Sequence, residues 1–128
     1  MMQLSIAGRN ASLDAVNTLL NGGTLEIRTG AAAAIDSAPT GTVLATLTIN
    51  ATAFSSASAG SSTANAIVDV TASSAGTAGH YVAKNSSGNA VRNGTAGTSG
   101  TDMILNSTTF GVGDDVSVTS WTYAQATS

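Results

Sequence analysis

Charge is the scarcest commodity in this chain. Of its 128 residues only 9% are charged, against about 25% in ordinary domains. Cysteine is absent, which excludes disulfide stapling and thiolate metal sites. There is one histidine, His80, and one proline, Pro39, and aromatics make up only 4%. The side chains that perform acid–base, nucleophilic and metal chemistry are thus nearly missing. Composition points away from an enzyme and from any resident cofactor or metal. The four basic residues, Arg9, Arg28, Lys84 and Arg92, are scattered. A nucleic-acid binder needs them clustered to displace counterions from phosphates, so that partner is not expected. No apolar run approaches the roughly 20 residues needed to cross a bilayer. The start, Met1-Met2-Gln3-Leu4-Ser5-Ile6, lacks the basic region and long apolar stretch of a secretory signal. The expectation is synthesis in a cytoplasm with no membrane partner.

What is present is small and polar, with a thin supply of core material. Leu, Ile, Val and Phe sum to 25 residues, just under a fifth of the chain. With a formal net charge of only −3 this does not read as disorder. The apolar residues fall into ordered, alternating runs, and the length fits a single domain over residues 1–128.

Leu13, Val16 and Leu20 follow helical spacing and predict a helix over residues 11–21, capped by Asn10 or Ser12 and stopped by Asn21-Gly22-Gly23. Everything after it reads as β. Leu25 and Ile27 alternate with Glu26 and Arg28. Val43, Ala45, Leu47 and Ile49 alternate with threonines, and Ala66, Val68 and Val70 predict an inward face over 64–70. Residues 80–84 and 90–93 flank Ser86-Ser87-Gly88-Asn89 as a hairpin. Short runs over 103–106, 108–112 and 116–123 complete the set. Residues 55–62 and 72–79 read as small-residue loops, and 94–100 as a flexible connection. Seven or eight short strands with Gly/Ser turns predict a mainly β fold: an antiparallel, jelly-roll-like β-sandwich with one N-terminal helix.

No constellation rises to a catalytic or binding motif. His80 has no carboxylate near it in sequence and reads as a half-exposed strand histidine. Residues 94–100 are glycine-rich but lack the Gly-Lys-Ser/Thr ending of a phosphate loop. Asp114-Asp115 offers too few oxygens for calcium and reads as an acidic turn.

Several segments together resemble a known class of protein. They are Arg9-Asn10-Ala11-Ser12-Leu13-Asp14-Ala15-Val16, the run Leu19-Leu20-Asn21-Gly22-Gly23-Thr24-Leu25-Glu26-Ile27-Arg28-Thr29-Gly30, and Pro39-Thr40-Gly41-Thr42-Val43-Leu44-Ala45-Thr46-Leu47. Gly97-Thr98-Ser99-Gly100-Thr101-Asp102-Met103-Ile104-Leu105-Asn106-Ser107-Thr108 and Val116-Ser117-Val118-Thr119-Ser120-Trp121 complete the pattern. The layout resembles small virion structural proteins of tailed bacteriophages and prophages, of the capsid-decoration (cement) type. The resemblance implies a non-enzymatic β-rich module on the capsid exterior. Its implied partners are the major capsid protein and copies of itself, commonly as a trimer. A tail tube, completion or fibre-base protein is the alternative within the class. A small ligand- or glycan-binding β-sandwich is the alternative outside it. Expected partner contacts are Met2, Gln3 and Arg9 in the N-terminal segment, Ser58 and Ser61 in one loop, and Ser74 in the next. Arg28 and Arg92, with Arg9, are expected to clamp carboxylates on a neighbour.

Overall fold

The computed structural model describes residues 3–125. Ser5 opens the only helix among them, α1 (Ile6–Leu19). Its backbone is extended (φ −64°, ψ 167°) and its Oγ accepts from the Gly8 N–H at 3.1 Å, satisfying an otherwise orphaned donor. The helix thus starts a turn and a half earlier than the apolar spacing predicts. Leu13 and Leu20 are buried as expected, while Val16 is half-exposed and Leu19 is 57% exposed. Gly22, in the left-handed region at φ 67°, turns the chain out of the helix.

Ten strands follow. They are β1 (Thr24–Thr29), β2 (Val43–Thr48), β3 (Ser61–Thr63), β4 (Val70–Thr71), β5 (Gly76–Lys84), β6 (Ala90–Gly97), β7 (Met103–Leu105), β8 (Thr109–Phe110), β9 (Asp115–Val116) and β10 (Val118–Ala124). Most join one sheet in the order β2-β1-β5-β6-β7-β10-β3, with β8 on β5, while β4 and β9 form a separate pair. The fold is mainly β with one N-terminal helix, as the alternation predicts. Two details differ from the expected antiparallel sandwich. The main sheet is a single curled one with free edges at β2 and β3, and β6 pairs with β7 in parallel, Ala96 opposite Met103.

Register explains the core. On β1, Leu25 lies between Leu47 and Ala83, and Ile27 between Ala45 and Tyr81, so one face of three strands is apolar. Trp121, 1% exposed, packs edge-on against Phe54 at 4.8 Å and Tyr81 at 5.2 Å between ring centroids. Such pairs contribute roughly 0.5–1.5 kcal/mol each beyond burial.

Three local expectations are corrected. Residues 65–69 are irregular, Ala66 is exposed and Val68 is 83% exposed, because only Val70–Thr71 finds a strand partner. The second half of the small-residue stretch 72–79 is the start of β5, held by β1 and β8. The glycine-rich stretch 94–100 continues β6 through Gly97. Gly94 is needed there, since a Cβ would stand 2.7 Å from Asp102 Oδ2 and 2.9 Å from Tyr81 Cε1.

Candidate functional site

Three polar constellations among the described residues tie separate elements together. The first lies along α1. Asn10, Asp14, Asn17 and Asn21 follow one helical stripe, each about one turn from the next. Asn10 Oδ1 accepts from Gly60 N at 2.9 Å, and Asp14 Oδ1 from Ala57 N at 2.8 Å. Asn21 Oδ1 accepts from Ala53 N at 2.8 Å, and Asn17 Nδ2 donates to Ser62 Oγ at 2.7 Å. A polar ladder thus pins residues 53–62 onto the helix. The serine-rich stretch 55–62, read from sequence as a loop, is fastened at three of these points, and its Ser58 and Ser61 exchange backbone hydrogen bonds at 2.8 and 3.0 Å.

The second constellation is Arg92. It is 6% exposed and has no carboxylate in reach; both ion pairs among the described residues involve Glu26. Its Nη2 donates to Asn17 Oδ1 at 2.7 Å. Its guanidinium carbon stands 3.7 Å from the Tyr123 ring centroid, 5.2 Å from that of Phe54 and 6.0 Å from that of Trp121. Nε and Nη1 have no hydrogen-bond partner among the described residues and lie among these rings, so π faces supply part of what a carboxylate would. Burial pushes the guanidinium below its ordinary value, opposed by Tyr81 and Tyr123. Burial likewise pushes the Tyr81 hydroxyl up. Arg92 is therefore a core residue, and the expectation that it clamps a neighbour is corrected. A β-strand side chain on the inner face cannot reach a partner.

The third constellation covers the outer face of β1, β5 and β6. Glu26 Oε1 accepts from Arg28 Nη2 at 2.8 Å and Oε2 from Lys84 Nζ at 3.1 Å. Burial alone raises the Glu26 carboxyl, but the two cations and their hydrogen bonds outweigh it, leaving it below the ordinary carboxylate value. Beside this cluster, residues 30–41 fold over His80 and Val82. His80 is 1% exposed, not half-exposed. Its Nδ1 lies 2.8 Å from Gly30 O; a carbonyl only accepts, so Nδ1 carries the proton. Asn93 Nδ2 donates to Ala33 O at 2.9 Å, and Arg28 Nη1 to Thr40 O at 3.3 Å. These bonds strap the loop down.

The structure scatters the residues expected to touch a partner. Gln3 and Ser58 are exposed, Ser61 and Ser74 are half-buried, and Met2 lies outside the described residues. Arg28 is engaged with Glu26, its side chain 13% exposed. Arg9 lies against Gly60, where an added Cβ would stand 3.0 Å from Nη1. The Asn/Asp stripe of α1 was the sequence signal for the first constellation. It reads as a solvated face until a loop is placed on it.

No group of three metal-ligating side chains occurs among the described residues. No helix there is long and apolar enough to cross a membrane. Comparison with protein-family models, with curated proteins and with solved structures finds no match to this chain.

Proposed function

We propose that this chain is a structural virion protein of a tailed bacteriophage, acting as a capsid decoration protein that bridges major capsid subunits. The supporting observation is where its few charges are used. Asp14, Asp102 and Asp114 accept hydrogen bonds from the backbone N–H groups of Ala57, Thr95 and Gly111. Glu26 is shared by two cations, Arg92 is buried among rings, and the sole histidine is sealed under a loop. Ionic groups here hold loops in shape and are not gathered around a cleft.

The resulting exterior is built of hydroxyls, small side chains and short turns. Such a surface enters an interface with little desolvation cost, since few unpaired charges need be buried. Its loops let another backbone approach closely. A stable contact of about 1,200–2,000 Å² is accessible to a chain of this size. The residues expected at that contact are Gln3, Ser58 and Ser74, with copies of the chain and the capsid subunit as partners. No nucleotide, membrane or small-molecule partner is invoked.

Quantitative mass spectrometry of purified particles tests this reading. About one copy per major capsid subunit supports it. A count of six or fewer moves the chain to the tail, and absence from the particle overturns the reading.

A further inference from the structure

The sheet contains a gap one strand wide. Strand β7 sits between β6 and β10, but it is short. It pairs with β6 only at Ala96 and Gly97, and with β10 only from Val118 to Trp121. Beyond its end, the first half of β6 (Ala90 to Gly94) has β5 on one side and no strand on the other. Thr122 to Ala124 of β10 likewise pair with β3 alone. Between the two edges runs a groove of about 260 Å³, lined by Tyr81, Asn93, Asp102, Thr122, Tyr123 and Ala124.

The β6 edge presents the backbone donor of Asn93 to this groove. The Thr95 N–H turns away from β5, because it donates to Asp102 Oδ2 at 3.0 Å. Asn93, two residues earlier on an unshifted stretch of the ladder, directs its N–H to the same side. Free edges are normally blunted by proline, by exposed lysine or by cover. The Asp102 carboxylate covers this edge at Thr95, and over Ala90 to Gly94 the only charged side chain on the strand is Arg92, which points into the core.

A segment suited to the gap lies in the chain itself. Residues 1–4 (Met1, Met2, Gln3, Leu4) carry no side-chain charge, and Met2 and Leu4 alternate with Gln3 and the capping Ser5 in strand period. Leu4 and Ile6 are 38% and 55% exposed, so this apolar material is not spent on the chain's own core.

We propose that the gap between β6 and β10 receives residues 1–4 of a second copy of this chain as an added strand in line with β7. This rests on the reading that the chain assembles with copies of itself, and it deepens that reading by naming the contact. Backbone hydrogen bonds from the Asn93 edge supply recognition, and Leu4 packs beside Tyr123.

The absence of cysteine makes the test direct. Gln3→Cys protein and Thr122→Cys protein are mixed, oxidised gently and resolved without reductant. The mixed disulfide between the two variants is the expected dominant product, and a merely statistical mixture of disulfides overturns the proposal. A Gln3→Cys/Thr122→Cys double variant that closes within one chain also overturns it, since the segment would then fill its own gap. In parallel, Asn93→Pro is compared with Asn93→Ala by sedimentation. Both lose the side-chain bond to the loop, but only proline removes the outward donor. Dissociation of the oligomer is expected to become at least about tenfold easier in the proline variant. Equal dissociation constants overturn the proposal. An oligomer that forms without the mixed disulfide sinks this contact and leaves self-assembly standing, whereas a monomer at every concentration sinks both.

Discussion

The guanidinium of Arg92 lies 3.7 Å from the ring centroid of Tyr123, inside the core and without a carboxylate. Only Asn17 offers it an oxygen, and Asn17 spends its other end on Ser62. A strand on one side, a helix on the other and the edge loop between them therefore meet at a single charged group. A lone buried cation of this kind costs desolvation that ring faces and one amide offset only in part.

That balance sets the behaviour of variants at position 92. Arg92→Met keeps the bulk between the rings and removes the charge, so stability is expected within about 1–1.5 kcal/mol of the parent. Arg92→Ala opens a cavity beside Phe54 and Tyr123 and is expected to cost about 2–4 kcal/mol. Urea unfolding of the two variants measures the difference. A methionine variant as damaged as the alanine one would show that the charge itself holds the core.

The polar ladder on α1 makes a graded prediction. Asn17→Ala leaves Arg92 Nη2 without its acceptor and removes the donor to Ser62, and is expected to cost about 2–3 kcal/mol. Asn10→Ala frees the donor of buried Gly60 and is expected to cost about 1–2 kcal/mol, whereas Asp14→Ala frees that of half-buried Ala57 and is expected to cost about 1 kcal/mol or less. Both should speed hydrogen exchange at Gly60 or Ala57 respectively, with the core amides unchanged. Exchange followed by NMR gives the answer residue by residue.

Acid should loosen the outer face of the sheet through Glu26. Its carboxyl lies below the ordinary value of 4.5 in the folded chain. The folded state therefore binds fewer protons than the unfolded one. The stabilisation is fully present above the unfolded value and is lost as pH falls through the lower folded value. Melting temperature recorded between about pH 3 and 7 should decline on the acid side. Glu26→Gln should be less stable at neutral pH and show a flatter acid limb. Parallel acid limbs in parent and variant would assign the effect elsewhere.

The strap over His80 makes a local prediction. His80→Ala and Asn93→Ala each remove one anchor of residues 30–41, to Gly30 O and Ala33 O. Limited proteolysis is expected to cut first within that loop in both variants, ahead of any cut in β1 or β5. Cleavage at the parent's rate would mean that packing alone, from Ile35 and Pro39, holds the loop.

Strands with strict alternation were legible in the sequence. Leu25 and Ile27 against Glu26 and Arg28, and the hairpin around Ser86 to Asn89, lie where the pattern predicts because one face is apolar and the other charged. The helix start was not legible from spacing. Ile6 and Ala7 are exposed, so the first turn has no buried stripe, and only the Ser5 cap marks it. The 64–70 run shows the opposite failure. Ala66, Val68 and Val70 alternate, but no strand lies beside the first two, and pattern without a partner makes no sheet. Arg92 was misread because charge suggests surface, while the fold places it on an inward position opposite Ala83. The three constellations were illegible as units, since Asn17, Ser62 and Arg92 meet only once helix, edge strand and hairpin have docked.

The proposed role of this chain is to strengthen a larger shell by binding to it. Heat release of DNA from purified particles tests that claim, comparing complete particles, particles made without this chain, and the latter after adding the purified protein back. Particles lacking the chain are expected to release DNA at a lower temperature, and addition of the protein is expected to restore the original value. Identical release temperatures in all three samples would contradict it.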